Sequence, residues 1–483
     1  MVGKKIGFDI FSGLPDELHS HILSFLPMKT AASTSLLSRK WRYLFACNPN
    51  LVFDNHKVST SFINFVDRVL ALQGNSPVHK FSLIIKDDDR DNPVVPIRIF
   101  TWILNVLRRG VSDLNLFVDL QSESLLPSKI FLSETLVRLK LKSGYGANIK
   151  LDDNQDVYLP KLKTLFLQAG YENHGIGLAK LLSGCHMLEE LVMYDISWLL
   201  WNFSSVSITT LKRLTFCWGE IDTNAKSVSI DTPNLVYLNF TDTIADAYPI
   251  VNLCSLVEAR ICLRMSYKQY GKAHFLDEAS FSDLQQINYS KANKKVGNAT
   301  DFIMGIRSVH ILYLYADTLE VLTCCCKTIP LFNNLTELTI ESSPRVGWKP
   351  LMDLLNNSPN LETLVFQGLV NKATDSWGDL CFCQLFVEEE EIFSCLSSST
   401  VKVLKIFRVG DYYGNMESQI EQIKYFLETM PNLEKIILHH TAWTVEDVTH
   451  VSRQLKRVIS TVASSICIVQ LISDNTPQAL VVA

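Results

Sequence analysis

A short pattern of apolar residues recurs along most of the chain. Three apolar positions stand at offsets of 0, 3 and 5 residues, and the residues between them are mostly polar. The clearest copies begin at Leu136, Leu162, Leu188, Leu211 and Leu235, and weaker copies begin at Val111, Leu256, Leu284, Val309, Leu335, Leu361 and Leu433. From Val111 to Leu361 successive copies start 25, 26, 26, 23, 24, 21, 28, 25, 26 and 26 residues apart. Such a spacing indicates repeated structural units.

The last two apolar positions of each copy are two residues apart, so they point to the same side of one short strand. One strand cannot bury that side alone, so neighbouring copies are expected to stack into a parallel sheet. The period matches leucine-rich repeats of roughly 20 to 29 residues and fits neither heptads nor the roughly 8 to 12-residue rhythm of a β-sandwich. We therefore predict an α/β fold, an irregular leucine-rich-repeat solenoid with parallel strands on the concave face and helices and loops on the convex face.

Helices are predicted in front of several strands. Apolar residues follow a helical spacing at Phe62, Phe65, Val66, Val69 and Leu70, and again at Ile99, Trp102, Ile103, Val106 and Leu107. Three of the turns are written as Pro-Asn-Leu, at residues 233–235, 359–361 and 431–433. Proline ends a helix and asparagine suits a turn, so each repeat is expected to run from helix through turn to strand.

Residues 9–50 lie outside the repeat and predict three short helices. The first begins at Pro15 and ends at Pro27, with an apolar stripe of Leu18, Ile22, Leu23 and Leu26. The second runs from Thr30 to Leu36, and Ser38 caps a third that contains Trp41 and Leu44. A segment of about 40 residues rarely buries enough apolar surface to stand alone, so part of it is expected to meet a partner.

This segment resembles the F-box in three runs, residues 14–18, 22–27 and 35–44. The resemblance implies a three-helix module that docks to the Skp-family adaptor of SCF cullin-RING ubiquitin ligases, and through it to cullin and RING subunits. It assigns adaptor contacts to Leu14, Pro15, Leu18, Ile22, Leu26, Pro27, Leu36 and Trp41. For Leu18, Ile22 and Trp41 a place in the core of the module is the open alternative.

The rhythm changes after Leu361, and the next candidate strand starts 40 residues later at Val401. A helix containing Ile420, Ile423, Leu427 and Met430 and a strand ending at Leu438 follow. This stretch resembles the FBD domain of a large plant family of F-box/FBD/leucine-rich-repeat proteins, although plain extension of the solenoid is the alternative. The expected divisions are 9–50 for the F-box, 51–367 for the repeats, 368–450 for the FBD-like region and 451–483 for a C-terminal extension.

Composition and charge narrow the classes of function. Hydrophobic residues make up 47% of the chain, and 45 basic against 50 acidic side chains give a net charge of −5. Disorder is excluded, and neither nucleic acid nor an anionic membrane is favoured as a partner. The first residues lack the apolar run of a signal peptide, so the cytoplasm or the nucleus is expected. The 12 cysteines lack the spacing of a zinc site, so neither metal nor cofactor is expected.

Binding is better supported than catalysis, because the sequence contains no GxSxG, GxxxxGK[ST] or HExxH motif. Residues that alternate with the strand leucines are expected to face outward and to bind a target protein, since tyrosine and arginine are frequent interface anchors. The candidates are Arg138, Lys140, Phe166, Tyr194, Arg213, Tyr237, Arg260, Tyr313 and Tyr315. The sequence therefore predicts a non-enzymatic substrate receptor of a ubiquitin ligase.

Two alternatives stay open at this stage. The first is a leucine-rich-repeat interaction scaffold with no ubiquitin-ligase role. The second is a small-molecule receptor, which the sequence favours less because it shows no concentrated basic pocket beyond Arg138, Lys140 and Lys142.

Overall fold

A computed structural model of the 483-residue chain shows two compact units, residues 1–203 and 204–483. The structure describes residues 14–26, 28–37, 41–44, 48–57, 60–87, 94–118, 126–143, 156–168, 177–199, 204–219, 221, 224–273, 297–341, 349–369, 395–409, 416–440, 453, 467–473 and 476–481. Each unit contains its own run of parallel strands.

The first unit opens with three short helices, as the sequence predicts. They are α1 (Asp16–Ser24), α2 (Met28–Ser33), which continues into a 3₁₀ turn (Thr34–Leu36), and α3 (Trp41–Leu44). Pro15 directly precedes α1 in an extended conformation, because proline has no amide hydrogen to contribute to the first turn. Leu23, Met28, Ala31 and Trp41 form the buried side of this module.

The rest of the first unit is a six-stranded parallel sheet whose neighbours follow chain order. Its strands are β1 (Asn50–Lys57), β2 (Lys80–Asp87), β3 (Asp113–Val118), β4 (Arg138–Ser143), β5 (Thr164–Gln168) and β6 (Glu190–Tyr194). The connections contain α4 (Thr60–Gln73), α5 (Val94–Arg108), a 3₁₀ helix (Ser128–Leu132) and α6 (Leu178–Ser183). The helices predicted around Val66 and Ile103 are therefore α4 and α5.

The second unit contains a longer sheet and a small one. Its strands are β7 (Ser205–Ser207), β8 (Arg213–Cys217), β9 (Ser229–Asp231), β10 (Tyr237–Thr243), β11 (Val251–Asn252), β12 (Glu258–Arg264), β13 (Ile311–Leu314), β14 (Glu337–Glu341), β15 (Thr363–Gln367), β16 (Val403–Val409), β17 (Lys435–His440), β18 (Ile468–Ser473) and β19 (Thr476–Val481). Its helices are α7 (Tyr267–Ala273), α8 (Thr300–Gly305), α9 (Ala316–Cys325), α10 (Lys349–Asn356) and α11 (Met416–Thr429). The long sheet has the order β8, β10, β12 and then β13 to β19, parallel except for the antiparallel last pair.

The repeat leucines stack in register, as the offsets of 3 and 5 predict. Leu114, Leu139, Leu165 and Leu191 are direct neighbours on β3 to β6, and each is fully buried. Burying one such side chain contributes about 1.5 to 3 kcal/mol, so the stack is the main source of cohesion between repeats. The residues between the leucines lie on the other side of the sheet, which we call the open face.

One prediction about the repeats is wrong in the second unit. In residues 204–254 the connections contain the short parallel strands β7, β9 and β11 in place of helices. The repeats here have the shortest spacings, 23, 24 and 21 residues, which leave little room for a helix. The copy predicted at Leu284 lies outside the described residues. Strands β12 and β13, on either side of it in the sequence, pair directly with each other.

The C-terminal part continues the sheet. Strands β16 and β17 pair in parallel with α11 between them, which is the helix and strand predicted from Ile420 and Leu433. The segment expected only as an extension contributes β18 and the antiparallel β19.

The asparagines of the Pro-Asn-Leu turns tie each repeat to the preceding one. The side-chain amides of Asn234, Asn360 and Asn432 donate to the carbonyl oxygens of Thr209, Asn333 and Ser399, each over 2.8 Å. Asn334 does the same toward Ser308 at 3.3 Å. Each of these asparagines lies in the turn before a strand and donates to the turn of the preceding repeat. We call this series of hydrogen bonds the asparagine ladder, referred to below simply as the ladder.

We expect Asn360→Ala to lower the free energy of unfolding of the second unit by about 1 kcal/mol, because the exposed carbonyl of Asn333 loses one hydrogen bond. Asn333→Ala is the matched control, since within the described residues its side chain makes no hydrogen bond. Urea unfolding compares the two variants. Equal stability of both would contradict a stabilising role for the ladder.

Candidate binding surfaces

One face of α1 carries large apolar side chains that are exposed. Leu18 is 47% exposed, Ile22 37% and Phe25 74%, and their spacing of four and three residues places them on one side of the helix. Leu36 and Leu37, at the end of the 3₁₀ turn, are 88% and 71% exposed. Large apolar residues grouped in this way mark an interaction surface. We call these five residues the F-box apolar surface.

The other residues to which the resemblance assigns adaptor contacts have different environments. Pro15 is exposed, whereas Leu14 and Leu26 are half-buried. Trp41 is only 5% exposed and meets the ring of His19 edge-on, with ring centroids 4.8 Å apart. Trp41 therefore occupies the core position that the sequence left open for it. Pro27 lies outside the described residues.

Phe25 and Leu37 were not among the predicted contacts, yet they are among the most exposed apolar residues of the module. Both lie inside the runs that resemble the F-box. The helical spacing of Phe25 from Leu18 and Ile22 was the available signal. Leu23, in contrast, is fully buried, because it lies on the opposite side of α1.

A chain of hydrogen-bonded polar side chains joins the three-helix module to the first repeat. The side-chain amide of Asn48, which is fully buried, donates to the carbonyl of Leu23 at 3.1 Å, and Gln73 donates to the backbone carbonyl of Asn48 at 2.7 Å. The Arg109 guanidinium in turn donates to Gln73 at 2.6 Å and to the carbonyl of Ser76 at 2.7 Å. Partial burial lowers the pKa of Arg109 from its usual value. We call Asn48, Gln73 and Arg109 the polar strut.

The open face of the first unit brings distant residues into rows, because the strands are in register. Lys80, Asp113, Arg138, Thr164 and Glu190 form one row across β2 to β6. The next row contains Ser82, Asn115, Lys140, Phe166 and Val192, and the third contains Ile84, Phe117, Lys142, Gln168 and Tyr194. The predicted residues Arg138, Lys140, Phe166 and Tyr194 thus share one face.

Cations and rings contact each other on this face. The ammonium group of Lys142 lies 4.6 Å from the ring centroid of Phe117, and that of Lys140 lies 6.0 Å from the centroid of Phe166. The rings of Phe166 and Tyr194 are 5.7 Å apart. Contacts of this kind hold long side chains in place at a modest gain in energy.

A depression of about 450 Å³ lies among the first two rows. It is lined by Lys80, Asp113, Asn115, Arg138, Lys140, Thr164, Phe166, Glu190 and Val192. Both Arg138 and Lys140 are exposed, so the depression is open to solvent. Sequence analysis named three of these lining residues and omitted Lys80, because Lys80 precedes the clear copies of the repeat.

The open face of the second unit carries the remaining predicted residues. The Arg213 guanidinium lies 4.1 Å from the ring centroid of Tyr237, and that of Arg260 lies 5.8 Å from Tyr313. The rings of Tyr313 and Tyr315 are 4.8 Å apart. These five side chains therefore lie on one face and contact one another in neighbouring pairs.

Charge and burial shift the pKa values of three of these side chains, Arg260, Tyr313 and Tyr315. Partial burial lowers the pKa of Arg260, but the 3.1 Å hydrogen bond from its Nε to Glu258 and the charge interactions with Tyr237, Glu258 and Tyr315 together raise the pKa overall. Burial, together with the charge of Glu341, raises the pKa of both Tyr313 and Tyr315 above the usual phenol value. At neutral pH the two phenols are therefore neutral and can donate hydrogen bonds.

The described residues offer no arrangement suited to metal binding. Within them there is no group of three or more histidine, cysteine or acidic side chains that could hold an ion. Burial raises the pKa of the Cys185 thiol to about 12 and that of Cys326 to about 12, so both stay protonated at neutral pH. The search of these same residues for a helix able to cross a membrane found none.

Known protein families match both the N-terminal three-helix module and the repeats. The F-box domain profile matches residues 11–52, and the profile described as FBD-associated F-box protein At5g56370, LRR repeats, matches residues 99–254. The F-box/LRR-repeat protein At4g14096 of Arabidopsis thaliana is 58% identical, over 97% of this chain and 95% of its own length. The putative F-box protein At1g58310 of the same plant is 54% identical, over 97% of this chain and 96% of its own length. The chain belongs to the F-box/LRR-repeat protein family.

Proposed function

We propose that this protein is a substrate receptor of an SCF-type ubiquitin ligase. Its F-box binds a Skp-family adaptor, and through the adaptor it joins cullin and RING subunits. The open faces of its repeats bind a target protein. The chain itself makes and breaks no bond, and it acts by raising the concentration of the target near the charged conjugating enzyme. The proposed place of action is the cytoplasm, the nucleus or both.

The observation that carries this proposal is the F-box apolar surface. Leu18, Ile22, Phe25, Leu36 and Leu37 are exposed in the free chain, within the segment that matches the F-box. A partner that covers them would remove apolar area from water, which contributes about 25 cal/mol per Å². The polar strut supports the same function, because it connects the module that carries this surface to the first repeat.

The turnover of bound proteins tests the proposal. Tagged wild-type chain and Leu36→Asp chain are expressed in plant cells, and the proteins captured by each are quantified with and without proteasome inhibition. We expect the Leu36→Asp chain to capture the same proteins, at higher steady-state abundance, because it no longer delivers them for ubiquitination. Equal abundance with both chains would contradict the proposal and favour an interaction scaffold.

A further inference from the structure

The basic side chains around the depression on the first unit lack acidic partners. Within the described residues, no carboxylate lies within ion-pair distance of Lys80, Arg138 or Lys140. Asp113 stands in register between Lys80 and Arg138, and Glu190 stands at the far end of the same row. Among the residues that line the depression, three cations face two acids. The local charge is positive although the whole chain is acidic.

The cations on the open face of the second unit are different, because several of them have partners within the chain. Arg260 pairs with Glu258 at 3.1 Å, and Lys405 pairs with Glu337 at 3.6 Å. Arg264 donates to the carbonyl oxygens of Trp218 and Gly219. Anion binding at those cations would have to break existing contacts, whereas Lys80, Arg138 and Lys140 have none with an acid to lose. Charge complementarity therefore favours the depression on the first unit, rather than the open face of the second unit, as a site that binds anionic groups.

We propose that this depression binds an acidic, extended segment of the target polypeptide, in which Asp or Glu carboxylates stand beside an apolar side chain. The proposal rests on the proposed function, since it describes how the receptor selects its target. The carboxylates meet Lys80, Arg138 and Lys140, and the apolar side chain packs on Phe166 and Val192, which are neighbours in the second row.

The spacing of the cations fits an extended chain that crosses the strands. Lys80 and Arg138 are two strands apart, which is about 10 Å. In an extended chain, side chains two residues apart point to the same side and stand about 7 Å apart, and the long side chains of Lys80 and Arg138 can cover the difference. Phe166 lies one strand beyond Lys140, so the apolar residue follows the acids. A segment with acids two residues apart and an apolar residue two positions after the second acid places all three side chains on the side that faces the depression.

The same lining disfavours two other occupants. Small-molecule sites are mostly apolar and enclose their ligand, whereas this depression is open and lined mainly by polar residues. A phosphate group carries nearly two charges and is usually held by clustered arginines, but Arg138 is the one arginine among the lining residues and Asp113 adjoins it in register. A carboxylate, with one charge, suffers less repulsion from Asp113.

Selection from a library tests the proposal on the full chain. The wild-type protein is immobilised and used to select from a random 12-residue peptide library displayed on phage, and the strongest peptide is then measured by fluorescence anisotropy. We expect enrichment of acids two residues apart, with an apolar residue two positions after the second acid. Replacing the acids of that peptide by their amides should weaken binding by about ten-fold or more, and added salt should weaken the parent peptide.

Matched variants locate the binding site. Arg138→Glu with Lys140→Glu should lose about ten-fold or more in affinity for the acidic peptide, because two attractions become repulsions. Lys129→Glu with Lys161→Glu is the control, because it makes the same charge change at exposed positions outside the open face of the same unit. Equal losses in both double variants, absence of acidic enrichment, tighter binding of a phosphoserine version, or full competition by free succinate would each overturn the proposal.

Adaptor binding is measured on the same protein preparations. If the wild-type chain binds the adaptor but selects no acidic peptide, this inference fails and the proposed function stands. If the wild-type chain does not bind the adaptor, the proposed function fails instead. The two failures are therefore distinguishable.

Discussion

Leu36→Asp is expected to weaken binding to a Skp-family adaptor by about 100-fold or more. Leu36 is 88% exposed in the free chain, so an aspartate there stays in water and the fold is unaffected. In the proposed complex the leucine is covered by the adaptor, and burying a charge without a partner is costly. Surface plasmon resonance with immobilised adaptor measures the change, and thermal unfolding verifies that the variant is folded.

Leu331→Asp is the matched control, because Leu331 is 51% exposed in the second unit and the chemical change is the same. We expect this variant to bind the adaptor like the wild type. Leu18→Asp should resemble Leu36→Asp, since both residues belong to the F-box apolar surface. Wild-type affinity of both Leu18→Asp and Leu36→Asp would show that the adaptor does not use this surface.

Gln73→Leu is expected to lower the free energy of unfolding of the first unit by about 2 to 4 kcal/mol. Gln73 is 5% exposed, and the substitution keeps the side-chain bulk while removing both of its hydrogen bonds. The backbone carbonyl of Asn48 then stays buried without a donor, which costs about 1 to 3 kcal/mol. The partly exposed Arg109 guanidinium loses one of its three acceptors, which costs about 1 kcal/mol more. Amide hydrogen exchange of α1 and α4 measures the loss, and protection should fall in both.

The effect should extend to the three-helix module, because Asn48 also holds the carbonyl of Leu23 at the end of α1. Asn105→Ala is the control: Asn105 accepts from Arg109 at 3.2 Å, but it lies at the outer end of the strut. We expect it to cost less than about 1 kcal/mol and to leave α1 protected. If Gln73→Leu lowered the protection of α4 alone, the strut would not couple the module to the repeats.

The order and facing of the strands could be predicted from the sequence, because both depend on local pattern. A leucine at offset 3 and an apolar residue at offset 5 place two side chains on one side of a strand, and the stacks of Leu139 and Leu141 follow. The outward facing of Arg138 and Lys140 follows from the same alternation. The three helices of the N-terminal module could also be predicted from local sequence, because prolines and apolar stripes mark them.

The other features depend on contacts between distant residues. Asn48 meets Leu23 and Gln73 in space, and nothing in the pattern near Asn48 indicates that it is buried. The depression needs Lys80 to stand in register with Asp113 and Arg138, which is decided by strand pairing across three repeats.

The most direct test of the central claim is the formation of a complex between the full chain and a recombinant Skp-family adaptor. The full chain is used because removing residues 1–50 would delete Asn48 and break the polar strut. Size-exclusion chromatography with light scattering measures the mass of the product. The account predicts a stable complex of one chain with one adaptor. A well-folded chain that elutes alone beside excess adaptor would contradict it.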